Sequence, residues 1–353
     1  MENMLNRSQL KKELFTFLII TFAATYILQF FVFNRAGYIS SPLSHIWSTT
    51  LAVSMFIPAA SAILCMVYFK SKALTRETKI IFAFFLLYAV LFAFENYCWP
   101  VMGTVMNLPV LSTIIAVLGM VTVIALNLKK KWRKGLVSSQ LSFGKNRKYY
   151  LILPLAVFAL LILEYLTLNF TGLGTPLTEF DISAFIVTLV SYFVLYFFTE
   201  WTWYFGEELG WRGYLQDRLF PLLGSYKGVL VLGVIWGVWH YPMNALGYNF
   251  PGQPILGNIL MTVFTIVFGI ILSYAVLKTG SIWIAVVMHL FNNKLNGVIC
   301  AYIAYSPDVL LVNALSCIFL GILALVLLRS KVWKQVEKIK SSKQVKDQSL
   351  ETG

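Results

Sequence analysis

The sequence predicts an all-α fold, a polytopic membrane bundle of about ten transmembrane helices with a cavity within the membrane. Three observations carry this prediction. Apolar residues make up 59% of the 353-residue chain and charged residues only 12%, against about 45–50% and about 25% in a soluble domain. The apolar residues fall in blocks near the length that crosses a bilayer. Lys and Arg are confined to alternate loops, with two exceptions. Lipid leaves the backbone only helices or closed barrels, and barrel strands would be about half as long as these blocks.

In chain order the blocks are 14–33, 46–69, 80–94, 109–128, 149–170, 182–205, 228–241, 255–277, 282–305 and 309–328. The first follows basic residues, as a signal peptide would. It is ~20 residues long with no small-residue cleavage site after it, so it reads as an uncleaved span. The third and seventh are short, and the third is expected to run on toward Cys98. Pro58 should kink the second block, and Gly237 should allow a close helix contact in the seventh.

Charge gives the orientation. The positive residues lie before the first block, at 70–79, 129–148, 212–227 and 278, and in the tail from 329 to 346. The exceptions are Arg35, in an opposite loop, and Lys294, inside the ninth block. By the positive-inside rule both termini are cytoplasmic in a multi-pass plasma-membrane protein. The same rule accounts for the net charge of +13 without a nucleic-acid partner. The lipid bilayer is the partner this composition requires. The four cysteines form no CxxC pair and read as small packing residues. No lipidation motif marks the chain.

The expected organisation is a four-span unit (1–134), a basic cytoplasmic linker (135–148), a six-span unit (149–330) and a charged, disordered tail (331–353).

Chemistry concentrates in the stretch FGEELGWRGYLQDR at 205–218. Glu207 and Glu208 end a long apolar block, and Arg212 follows one turn after Glu208. Ionisable groups at membrane depth are costly and point to function. Counting at 1.5 Å per residue from the cytoplasmic boundary puts Glu207, His240 and Asn293 at about 16–18 Å and His289 at ~12 Å. His289 and Asn293 are an i,i+4 pair on one helix face. A carboxylate with imidazoles can activate water as a general base or through a divalent metal. An Asn amide with an imidazole N–H can donate to an oxyanion, and Arg212 can brace Glu208. A zinc ion, were one used, would fall to Glu207, His240 and His289; the HExxH spacing is absent, so no motif decides for metal.

Other polar residues have plainer readings. His45 reads as a solvated loop histidine. Lys294 is expected to pair with a buried Glu, either Glu164 or Glu200, and so fix helix packing. Trp99, Trp201, Trp203 and Trp211 read as interface anchors or cavity walls.

The ordered trio Glu207-Glu208-x-x-x-Arg212, Trp236-x-x-x-His240 and His289-x-x-x-Asn293 resembles the family of CAAX prenyl endopeptidases and bacteriocin-processing proteins, which are intramembrane proteases. The resemblance spans roughly residues 182–305. It implies that Glu207 and His240 act on the attacking water, that His289 and Asn293 stabilise the oxyanion, and that Glu208 and Arg212 support the site. It implies a membrane-bound peptide or protein substrate, either lipidated or a leader peptide, and leaves metal use open. The family usually has Phe where this chain has Trp236; the change is expected to alter packing and not chemistry. Rival readings are a non-catalytic bacteriocin-immunity or scaffold protein and a proton-coupled transporter. The assembled trio weighs against the first, and the absence of an internal repeat weighs against the second.

Overall fold

The computed structural model describes residues 7–39, 45–97, 110–176, 181–302, 304–306, 308–334 and 336. The protein is a helical membrane bundle. Nine of the described helices are long and apolar enough to span a membrane, and a tenth, Ser225–Trp239, is shorter. The first six are α1 (Arg7–Ala36), α2 (His45–Tyr68), α3 (Arg76–Tyr97), α4 (Val110–Leu128), the short α5 (Lys130–Gly135) and α6 (Tyr149–Phe170). The block expected at 182–205 is not one helix. It divides into α7 (Ile182–Thr199) and α8 (Trp201–Glu208), and a π-helical stretch, Leu209–Leu215, leads from α8 into α9 (Gln216–Leu223). Then follow α10 (Ser225–Trp239), α11 (Tyr241–Ala245), α12 (Pro254–Thr279), α13 (Trp283–Tyr302) and α14 (Val309–Leu328). The one sheet among the described residues is a two-residue antiparallel pair, β1 (Thr175–Pro176) with β2 (Ala304–Tyr305).

The positively charged loops meet at one end of the bundle. There Arg218 pairs with Glu13 of α1 at 2.9 Å, and Gln140 donates to Asp217 at 2.8 Å. The amide of Lys145 donates to the Thr279 carbonyl at 2.8 Å. At the other end the amide of Ile39 donates to the Leu246 carbonyl at 2.9 Å.

The segment expected as a linker is docked in place. Leu141 is buried, and its carbonyl takes the indole N–H of Trp283 at 2.8 Å. The Gln140 carbonyl takes the amide of Ile282 at 3.0 Å, so the segment caps the start of α13. The residues of the charged tail beyond 336 lie outside those described, as do Cys98 and Trp99. At the start of that tail Trp333 is buried, and its carbonyl accepts from Ser225 at 3.1 Å.

The helix that carries the glutamates leans on the N-terminal half. Gly206 and Gly210 form a G-x-x-x-G pair that faces α2. A Cβ at 206 would collide with the Met55 carbonyl oxygen, and one at 210 with Pro58. Small residues four apart let two helix backbones approach closely. Pro58 lies inside α2 as expected, and its place against Gly210 makes it part of this contact. At Gly237 of α10 an added Cβ would lie 2.7 Å from Thr262 Cα of α12, the close contact expected there.

Candidate functional site

Backbone irregularity builds the site. At Glu200 the chain leaves helical geometry, with φ −121° and ψ 7°, and a new helix starts at Trp201. The break removes Glu200 from the register of Glu207. Glu200 instead meets Lys294 of α13 at 2.6 Å, and the ammonium lies 4.0 Å from the Tyr196 ring centroid. The expected Lys–Glu pair forms, with Glu200 as the partner, but it is half-buried and not buried as expected. Glu164 is elsewhere, between α6 and α14, with both carboxylate oxygens 2.8 Å from the Ser316 hydroxyl.

Past the break come Glu207 and Glu208, both buried. The π-helical stretch then carries Trp211 and Arg212. Such i→i+5 segments are rare and concentrate at functional sites. The depth count assumed a regular α-helix between residues 207 and 218, so the 16 Å figure does not transfer to this backbone.

The two acids have different partners. Oε1 of Glu208 accepts from Arg212 Nη1 at 3.0 Å and from His289 Nδ1 at 2.8 Å, joining the π-helical stretch to α13. Arg212 is fully buried, and its guanidinium carbon sits 4.1 Å from the Trp236 ring centroid. Gly269 of α12 lies beside it, and a Cβ there would sit 3.4 Å from Nη2, at ordinary contact distance. Oε2 of Glu207 accepts two indole N–H bonds, from Trp236 at 2.7 Å and from Trp211 at 3.3 Å. Glu207 Oε1 accepts none among the described residues.

His240 follows α10. Its Nδ1 lies 2.9 Å from the Trp236 carbonyl oxygen. A carbonyl can only accept, so Nδ1 carries the proton and Nε2 of the neutral ring is left as an acceptor. Glu207 and His289 are both within electrostatic reach of this ring. The Trp236 ring neighbours both imidazoles, 6.0 Å from His240 and 5.5 Å from His289 by ring centroids. Tyr204 and Phe268 close the walls around His289, at 5.1 and 6.0 Å. His45 is exposed at the start of α2, remote in role from this cluster.

The structure therefore groups Glu207, Glu208, Arg212, His240 and His289. Asn293 stands apart: it is exposed, and its recorded bond is at Oδ1, which accepts from Asn292 at 3.1 Å. Its amide N–H₂ has no recorded partner among the described residues. The residues that sequence reasoning missed as polar participants are Trp236 and Trp211. The position of Trp236 in the second motif, where a Phe would be usual, was the available signal.

The metal set fits less well. Among the described residues no three of His, Cys, Asp and Glu come together in a way that could hold a metal ion. His289 Nδ1 is committed to Glu208, and Glu207 Oε2 to two indoles. Glu207, His240 and His289 do not converge as ligands in this arrangement, and no step below passes through a metal.

A membrane bundle with a buried carboxylate–imidazole site is the class of protein that fold and geometry define. Comparison with known proteins is more particular. Residues 189–295 match the family described as Type II CAAX prenyl endopeptidase Rce1-like. A 92-residue stretch is 33% identical to the CAAX prenyl protease 2 of Methanococcus maripaludis, covering 25% of this chain and 34% of that protein. The resemblance read from the three motifs and the match over residues 189–295 thus point to the same family over the part of the chain that carries the site. The chain spans about a third of the length of the curated relative it matches.

Proposed function

We propose that this protein is an intramembrane endopeptidase that cleaves a membrane-associated polypeptide, with a lipidated CAAX-type terminus as the first substrate class to test. The observation that carries the reading is the division of labour between adjacent acids. Among the described residues each acid has one carboxylate oxygen without a partner, but Glu208 is paired with Arg212 and His289, while Glu207 has no cation paired with it and lies within electrostatic reach of His240.

In this mechanism a water lies between Glu207 Oε1 and His240 Nε2. As its oxygen attacks the scissile carbonyl carbon, its proton passes to Glu207, with His240 orienting the water. The carbonyl electrons move onto oxygen. His289, its Nδ1 held on Glu208, faces the developing oxyanion, and the Asn293 amide donates to that oxygen from one turn away once substrate is bound. Collapse breaks the C–N bond, and the proton held by Glu207 goes to the leaving amine. The positive loops gathered at one end support a cytoplasmic location for that end and for both termini.

The test is reconstitution in liposomes with a fluorogenic farnesylated peptide ending in a CAAX tetrapeptide, alongside proteomics of membranes from wild-type and Glu207→Gln cells. Wild type should cut the probe or yield a cleavage product, and Glu207→Gln should not. Cleavage that survives in Glu207→Gln removes Glu207 as the activating group. A phenotype with no cleavage product in either experiment favours the scaffold reading. Stoichiometric zinc retained by wild type and lost in His240→Ala would replace the metal-free route.

A further inference from the structure

Trp236, in the second motif, brings a hydrogen-bond donor into the site. Trp236 is 2% exposed, and its indole N–H meets Glu207 Oε2 at 2.7 Å. Other buried indoles of this molecule do something plainer. Trp201 donates to the Ala116 carbonyl, Trp283 to the Leu141 carbonyl and Trp333 to the Leu327 carbonyl, while Trp239 donates to the Thr25 hydroxyl. Among the described tryptophans only Trp236 and Trp211 give their N–H to a carboxylate, and both give it to the same oxygen.

Resting on the reading of Glu207 as the water-activating base, we propose that Trp236, assisted by Trp211, is a positioning residue that fixes which oxygen of Glu207 does the work. The two donors come from different elements, α10 and the π-helical stretch, so together they stop the carboxylate from turning about its Cγ–Cδ bond. Both accepting directions of Oε2 are filled, and Oε1 is left for the water. The Arg212 guanidinium over the indole face draws electron density from the ring and strengthens its N–H as a donor. One ring therefore couples the brace (Arg212) to the base (Glu207) and lies against both imidazoles. The aromatic ring that the sequence presents as a matter of packing is a polar link in the site.

Trp236→Phe tests this, because it keeps an aromatic ring beside the imidazoles and under Arg212 and removes the donor. A hydrogen bond to a charged group lost at the base should lower kcat roughly ten- to hundredfold with KM unchanged within about twofold. In a Glu207→Gln background the same change should have no further effect on residual turnover. A second measurement needs no activity: with Trp236 selectively ¹⁵N-labelled in detergent-solubilised protein, its indole N–H resonance should move upfield in Glu207→Gln. A kcat for Trp236→Phe within twofold of wild type overturns the proposal, as does an indole resonance that Glu207→Gln leaves in place. Turnover at the wild-type rate by Glu207→Gln, or no cleavage of the farnesylated probe by any variant, defeats the catalytic reading instead; the resonance then decides alone whether the indole holds this carboxylate.

Discussion

Glu164 and Glu207 are both acids sunk among apolar helices, and they are held in opposite ways. Glu164 is fully buried, and a single hydroxyl, that of Ser316, lies 2.8 Å from both of its oxygens. The arrangement is symmetric and closed, a hydrogen-bonded staple between α6 and α14. Glu207 is held on one oxygen only, by two indoles, beside an imidazole with an uncommitted nitrogen. Burial alone marks both residues as expensive. The difference lies in asymmetry, since a catalytic acid needs one half fixed and the other available.

The largest effect that should separate the two is Glu207→Gln, which we expect to lower probe cleavage by ~10³-fold or more, the range of a lost general base, with the thermal midpoint in detergent unchanged. Next is Arg212→Met. It leaves Glu208 buried beside only His289 and should destabilise the protein by about 3–5 kcal/mol, the usual penalty for breaking a buried ion pair from one side; solvent-denaturation midpoints in mixed micelles would read it. Gly210→Ala forces a methyl group against Pro58 and should cost about 1–3 kcal/mol by overpacking, measurable in the same assay. The smallest change belongs to the staple. Glu164→Gln retains a partner for Ser316 and should alter stability by less than about 1.5 kcal/mol, with cleavage within about twofold of wild type. A large catalytic loss in Glu164→Gln would erase the distinction between the two acids.

Much of this was legible in the residues. The blocks at 149–170 and 309–328 match α6 and α14 to the residue, because hydropathy and bilayer thickness together set helix length. The three motifs named the five residues that the structure gathers. The break at Glu200 was hidden, because nothing in the apolar run around it interrupts the pattern; Glu200 turns out of the helix and meets Lys294, nearly a hundred positions on. The π-helical stretch was hidden as well. Its register is set against α2, and no local propensity encodes it. The two indole bonds depend on ring orientation across helices, which a one-dimensional pattern does not carry. The docking of residues 135–148 depends likewise on Trp283 and Ile282, far along the chain. Asn293 shows the converse: its spacing from His289 is right, yet the residue is exposed, so its role waits on what binds beside it.

The notch that α2 offers to Gly206 and Gly210 also bears on assembly. Met55 and Pro58 leave the ribosome well before the residues that pack against them, so the seat is in the bilayer when the glutamate-bearing helix arrives. That helix need not hold its irregular backbone by itself; it can take it from a template already in place. The stretch that carries Glu207 and Glu208 would then be the moving half of a mould whose fixed half is synthesised first. Co-expressing residues 1–134 with 135–353 as separate chains should restore the folded protein, whereas the second piece by itself should not acquire it.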